Sequence, residues 1–173
     1  MSVGEEEKIV FVTVGTTQFN ALIEVVCQES FLHQLKLDGF TKVILQYGRG
    51  TAPSSKRTTS GITMEYFDFA PSLQSYMSRA CVILCHAGAG SIMEALSLQK
   101  HTIVVINNDL MDNHQLELAQ ALQRRNHIAV IPHPNLLLQQ WNQVYTTTTT
   151  TPLSSTNNTQ FITQLHQHMG FPI

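Results

Sequence analysis

Val82-Ile-Leu-Cys-His-Ala-Gly-Ala-Gly-Ser-Ile-Met-Glu-Ala-Leu-Ser97 changes its period halfway along. Val82-Ile-Leu-Cys85 is a short continuous apolar run and reads as a buried strand. Gly88-Ala-Gly90 breaks the chain, and from Ser91 to Leu98 the apolar residues recur at helical spacing. A buried strand that turns over two glycines into a helix is the unit from which parallel α/β sheets are built.

The same unit recurs on either side. Ile9-Val-Phe-Val-Thr-Val14 ends at Gly15, and Phe19 to Leu37 follows with apolar residues near helical spacing. Val43-Ile-Leu-Gln-Tyr47 precedes Gly48-Arg-Gly50, and a polar stretch from Thr51 to Ser60 leads to a third strand at Ile62–Phe67. Pro71 suits the first turn of a helix running to about Arg79, because its missing N–H would be unpaired there anyway. Thr102–Ile106, a helix from about Asp112 to Arg125, and Ile128–Ile131 complete the pattern. Six short strands alternating with helices predict a doubly wound α/β fold, a mostly parallel sheet covered on both faces. Ligands in such folds bind beyond the carboxyl ends of the strands. That edge holds Gly15-Thr-Thr17, Gly48-Arg-Gly50, Phe67-Asp-Phe69, His86–Ser91 and Asn107–His114.

At 173 residues the chain has room for one domain rather than two. Asp, Glu, Lys and Arg make up 13% against 43% hydrophobic residues, so much of the surface is uncharged. A net charge of −2 removes the attraction that drives nucleic-acid and anionic-lipid binding. No apolar run reaches the roughly 20 residues of a membrane span, and the acidic start Glu5-Glu-Glu7 is unlike a signal peptide, so the expected setting is cytoplasmic. Cys27, Cys81 and Cys85 lie in apolar stretches without metal-ligand spacing and read as reduced core thiols. The α/β domain is expected to span 1–142, followed by a Thr/Ser/Asn-rich linker at 143–158 that buries too little to order itself. Residues 159–173, with Phe161, Leu165 and Met169 four apart, predict a short helix that docks on its own domain or on a partner.

The helix start after His86-Ala-Gly-Ala-Gly-Ser91 offers unpaired N–H groups and suits a phosphate or diphosphate. Ser91-Ile-Met-Glu94 equally fits a capping box in which both side chains satisfy the helix end. Gly15-Thr-Thr17 is a second phosphate-loop candidate. Asp109 and Asp112 read as loop and N-cap residues rather than metal ligands. A dinucleotide fingerprint fails at its third glycine, which is Met93, so an NAD-linked oxidoreductase is disfavoured.

Val12-Thr-Val-Gly-Thr-Thr17, Leu45-Gln-Tyr-Gly-Arg-Gly50, His86-Ala-Gly-Ala-Gly-Ser91 and Asn113-His-Gln-Leu-Glu-Leu-Ala119 occur here in that order. Together they resemble the catalytic subunits of the eukaryotic UDP-N-acetylglucosamine transferase that adds the second sugar to dolichol-diphosphate. Those are similar to the C-terminal, donor-binding half of bacterial MurG-type GT-B glycosyltransferases. The resemblance covers residues 8 to about 131. It implies that Thr16, Thr17, Gly88, Ala89, Gly90 and Ser91 contact the UDP diphosphate. Phe69 and Ala70 would hold the uracil, Glu94 the ribose hydroxyls, and Asn113, His114 and Gln115 the transferred sugar. It further implies inversion without a metal or other cofactor, and a membrane-anchored second subunit that supplies the acceptor side at the cytosolic face of the endoplasmic reticulum. His86 is the one candidate base in this chain, with the partner the better source of that group. A non-catalytic sugar-nucleotide-binding module is the alternative.

Overall fold

The computed structural model describes residues 6–54, 58–109, 112–147 and 163. In chain order the elements are β1 (Ile9–Thr13), α1 (Asn20–Val26), α2 (Glu29–Leu37), β2 (Lys42–Gln46), β3 (Thr58–Thr59) and β4 (Ile62–Phe67). There follow α3 (Gln74–Arg79), β5 (Val82–His86), α4 (Ala89–Ser97), β6 (His101–Val105), α5 (Asn113–Arg124), β7 (Ala129–Ile131), a 3-10 turn at Pro134–Leu136, and α6 (Leu137–Thr147).

All six expected strands form, with β3 as a two-residue addition that pairs antiparallel to β4 at the edge. The sheet order is β3-β4-β2-β1-β5-β6-β7, and every pair apart from β3–β4 is parallel. Counting the parallel strands alone, this is 3-2-1-4-5-6, the order of a doubly wound Rossmann sheet. The winding reverses between β1 and β5, so the connections leaving these two neighbours depart to opposite faces. A crevice opens at their carboxyl ends.

Alternation along the strands sorts the core into two layers. Val10, Val12, Val43 and Leu45 face one side and pack with Leu22 and Val26 of α1, Leu32 and Leu35 of α2, and Trp141 of α6. Ile9, Phe11, Ile44 and Ile83 face the other and meet Met77 of α3, Ile92 and Ala95 of α4, and Leu118 and Leu122 of α5. A strand buried on both faces needs an apolar residue at every position, which is why β1 reads as an unbroken run.

Several boundaries differ from expectation. The segment Phe19–Leu37 is two helices, because Gln28 is extended between Cys27 and Glu29. One helix of that length would run about 27 Å, well past five-residue strands of about 17 Å, and the break turns it back along the sheet. Pro71 does not open α3. The helix starts at Gln74, whose N–H donates to the Ser72 hydroxyl at 3.3 Å. Cys81 is exposed rather than a core thiol, whereas Cys85 is buried and Cys27 partly so. Burial pushes the Cys85 thiol up to about 12, so it stays protonated.

Helix α6 carries the domain five residues past the expected end at 142. Trp141 is fully buried, meets Phe31 edge-on at 5.2 Å, stacks on Tyr145 at 5.3 Å, and donates its indole N–H to Asp38 Oδ2 at 2.8 Å. Val144 and Tyr145 belong to that same packed face, so the first residues of the expected linker are part of the domain. The rest of the expected linker, 148–158, and the expected C-terminal helix, 159–173, lie outside the described residues except for Thr163.

Candidate functional site

The loops leaving β1, β2, β4, β5 and β6 all emerge at the carboxyl edge of the sheet. On β1 the loop turns immediately: Gly15 has φ +61°, which an L side chain adopts only with strain. Thr16 is exposed, and the Thr17 hydroxyl donates to the Val14 carbonyl at 2.8 Å, leaving its oxygen able to accept. The loop after β2 presses onto this turn. A Cβ on Gly48 would collide with the carbonyls of Thr17 and Gly15, and the Arg49 N–H donates to Thr17 O at 3.0 Å. Arg49 is exposed, and among the described residues it is the one Lys or Arg that follows a strand at this edge.

Helix α4 starts at Ala89 with Gly88 as its N-cap, and no side chain caps it. The capping-box reading of Ser91 and Glu94 therefore fails. The helix begins two residues before Ser91, which puts Ser91 inside the first turn and Glu94 in the helix body. The N–H groups of Ala89, Gly90 and Ser91 face the crevice end without a side-chain acceptor, carrying the partial positive charge of the helix end. Glu94 is half-buried, and its carboxylate makes no hydrogen bond or ion pair with the described residues. Around Gly90 a Cβ would meet nothing within 4 Å. No packing inside the protein requires a glycine there.

Helix α5 is different. Its N-cap, Asp112, accepts from the Gln115 N–H at 2.9 Å, so a carboxylate already occupies that helix end, as the N-cap reading of Asp112 expects. Asn113 opens α5, His114 is exposed and Gln115 is half-buried; all three sit at the ligand edge, one loop away from α4. The β6 loop reaches the β1 loop through Asn107, whose amide donates to Gln18 O at 3.4 Å. Between them lies a cleft of 270 Å³ lined by Gln18, Phe19, Asn20, Ala21, Asn107 and Asp109. Among the described residues no cluster of His, Cys, Asp and Glu could hold a metal ion.

His86 ends β5 at the centre of the crevice. Its ring is held between two glycines: a Cβ on Gly88 would overlap its Nε2 and Cε1 edge, and a Cβ on Gly15 would lie 2.8 Å from Cε1. Both loops thus need glycine to make room for this imidazole. Burial holds its pKa below 6.5, a backbone interaction with Thr13 pulling weakly the other way, and Nδ1 is buried without a hydrogen-bond partner. The ring is neutral at pH 7 and can offer one N–H to an anion. Phe69 stands at the far end, 66% exposed, with Ala70 half-buried behind it; its N–H donates to Asp68 Oδ1 at 2.7 Å.

The structure brings Thr16, Thr17, His86, Gly88, Ala89, Gly90 and Ser91 to the switch point between β1 and β5. It sets Phe69 and Ala70 on one flank and Asn113, His114 and Gln115 on the other. Sequence reasoning missed Thr13 and Gln46, two buried polar side chains under the loops. Their signal was a polar residue ending an otherwise apolar strand, as in Lys42-Val-Ile-Leu-Gln46.

Comparison with known proteins agrees with this geometry. Residues 9–169 match the family described as glycosyltransferase family 28 C-terminal domain. The chain is 42% identical over 121 residues to the UDP-N-acetylglucosamine transferase subunit ALG13 of Homo sapiens, covering 70% of this chain and 11% of that protein. Against the ALG13 subunit of Yarrowia lipolytica it is 40% identical over 124 residues, covering 70% and 63%. The chain thus spans less than two thirds of these two relatives, whereas it spans 96% of the ALG13 subunit of Candida glabrata at 30% identity, with 90% of this chain covered. A solution NMR structure of ALG13 superposes with a TM-score of 0.69 at 25% identity, covering 92% of this chain and 96% of that one. MurG from Acinetobacter baumannii shares the fold, with a TM-score of 0.62 at 19% identity over 95% of this chain and 50% of that one. A motif set read from sequence, a switch-point crevice with an uncapped helix end, and relatives alike along the same residues converge on one assignment: the chain belongs to the glycosyltransferase family 28 C-terminal domain family, in its ALG13 group of UDP-N-acetylglucosamine transferase subunits.

Proposed function

We propose that this chain is the donor-binding subunit of a transferase that moves N-acetylglucosamine from UDP-N-acetylglucosamine to N-acetylglucosaminyl-diphosphodolichol. The observation that carries the reading is the α4 N-terminus, uncapped and beside a glycine turn at the switch point of the sheet. A helix end left open in this way suits the diphosphate of a sugar nucleotide. Phe69 would then offer its ring to the uracil, Glu94 its carboxylate to the ribose hydroxyls, and Asn113, His114 and Gln115 would read the sugar. The subunit names of the relatives support a UDP-N-acetylglucosamine donor.

In the reaction the acceptor hydroxyl oxygen forms a bond to the anomeric carbon from the face opposite UDP, while the bond from that carbon to the β-phosphate oxygen breaks. The bonding pair leaves with UDP, and the sugar inverts. Charge that builds on the β-phosphate is met by donors already in place: the Ala89, Gly90 and Ser91 N–H groups, the Thr16 hydroxyl and the neutral His86 ring. Such preorganised donors contribute most to rates of this kind, and losing one costs about 10²–10³ in rate in measured cases. This neutralisation calls for no divalent ion. His86 is enclosed by glycines on the donor side, so the base that takes the acceptor proton would come from a second subunit. That subunit would be membrane-anchored, because the proposed acceptor sugar is carried on a dolichol chain that partitions into the bilayer. Residues 159–173 are the segment we assign to docking on it, at the cytosolic face of the endoplasmic reticulum.

Reconstitution tests this. The chain and a membrane-anchored subunit, assayed together, are expected to transfer N-acetylglucosamine in the presence of a chelator and to give the inverted anomer, while neither transfers alone. Binding of UDP without any contribution to transfer in the pair would leave the non-catalytic binding module as the correct reading.

A further inference from the structure

Gln46 is 2% exposed, ends β2, and belongs to none of the groups that would touch a nucleotide. Strand β2 lies between β1 and β4, so its carboxyl end sits between the loop that carries Thr16 and Thr17 and the loop that carries Phe69. The Gln46 amide joins these loops. Its Nε2 donates one hydrogen to the Gly15 carbonyl at 2.6 Å and the other to the Asp68 carbonyl at 2.9 Å. Its Oε1 accepts from the Thr13 hydroxyl, and that hydroxyl accepts from the Gly15 N–H at 3.1 Å.

Every donor of the side chain is used, and Gly15 is held at both its N–H and its carbonyl. Two carbonyls that accept from the same planar NH₂ group are fixed about 5 Å apart, with their directions set by the amide plane. Arginine and lysine could donate to both carbonyls but have no acceptor for the Thr13 hydroxyl and would bury a charge. Leucine and methionine lack donors, glutamate would turn an acceptor on two carbonyls, and asparagine is one methylene short. The loops could each have been anchored to its own strand. Instead one buried side chain ties each to the other.

We propose that Gln46 is a positioning residue that sets the distance between the diphosphate loop and the base loop, and so gauges a nucleoside diphosphate from end to end. This rests on the UDP-sugar reading above. A ligand that spans both loops gains from their fixed spacing, because its second contact is made without further ordering. A ligand that touches only one loop gains nothing from it.

The test compares UDP, uridine and inorganic pyrophosphate on the full-length chain, by calorimetry or amide-shift titration, in the parent and in Gln46→Leu. Expected is a loss of about tenfold or more for UDP, with uridine and pyrophosphate each within about threefold of the parent. Gln46→Met, which is of similar length and lacks both donors, carries the same comparison should Gln46→Leu not fold. Thr13→Ser, which retains the hydroxyl on Oε1 and both Nε2 bonds, is expected to keep the parent's ratio. UDP affinity within about threefold of the parent in a folded variant, or a parallel loss of all three ligands, would overturn the proposal. A parent chain that binds no UDP would remove the nucleotide reading itself, and the Gln46 role with it; that failure is seen before any variant is made.

Discussion

Gly90 and Gly88 stand two residues apart at the start of α4, and replacing each with alanine should move stability in opposite directions. At Gly90 the added Cβ meets no atom within 4 Å, and the backbone is helical. Glycine costs about 0.8–1 kcal/mol relative to alanine inside a helix, less at its first turn, so Gly90→Ala should stabilise the folded chain by about 0.5–1 kcal/mol. For a chain of this size that raises Tm by about 1–4 °C. At Gly88 the Cβ would overlap the His86 ring, which cannot swing away because the Gly15 turn closes its other side. Overpacking of that kind costs about 1–3 kcal/mol. Both variants should bind UDP more weakly. In Gly90→Ala the methyl group enters space that the protein leaves empty and that a phosphate would occupy; losing one hydrogen bond to a charged group costs about 1.5–3 kcal/mol, or about 10–150-fold in Kd. Thermal melts and UDP calorimetry on the same samples give both quantities. A Gly90→Ala chain that is more stable and binds UDP as the parent does would refute the phosphate cradle, since the glycine would then have neither a packing nor a ligand reason.

Glu94→Gln should leave stability within about 0.5 kcal/mol, because the carboxylate has no partner among the described residues to lose. The same change should weaken UDP-N-acetylglucosamine binding by about tenfold; equal affinity measured by calorimetry would remove Glu94 from the ribose site. Trp141→Ala should cost about 3–5 kcal/mol in urea unfolding, through loss of a fully buried indole. Trp141→Phe should cost about 1.5–3 kcal/mol, towards the lower end because Asp38 keeps its bond from Gln34, and a loss below about 0.5 kcal/mol would mean that the indole N–H bond to Asp38 contributes little. His86 has its pKa lowered in the folded chain, so its stabilising contribution is complete above 6.5 and falls as pH drops from there towards the folded value, at about 1.4 kcal/mol per pH unit at most. His101, lowered by burial against α6, acts in the same direction. Urea midpoints that stay level or rise on acidification from about pH 7.5 to 5.5 would contradict this.

The amino-acid sequence alone determined the α/β class, the carboxyl edge of the sheet as the candidate site, and the glycine-rich stretches there. Local physics decides those: burial on both faces demands unbroken apolar strands, and tight turns demand glycine or small polar residues, so both leave marks within a few neighbouring residues. It also marked His86, Phe69 and Glu94 by position after their strands or within a helix. Only the tertiary structure decided whether Ser91 capped the helix or stood inside it, because a capping box and a first turn share the same spacing. Only the structure showed that Trp141 belongs to the core, since its partners Phe31, Phe40 and Asp38 lie about a hundred residues away in the chain. The roles of Gln46 and Thr13 were likewise settled by strand order. A polar residue ending a strand is unremarkable until β1 and β4 are known to lie on either side of it, and then its two donors meet two loops at once.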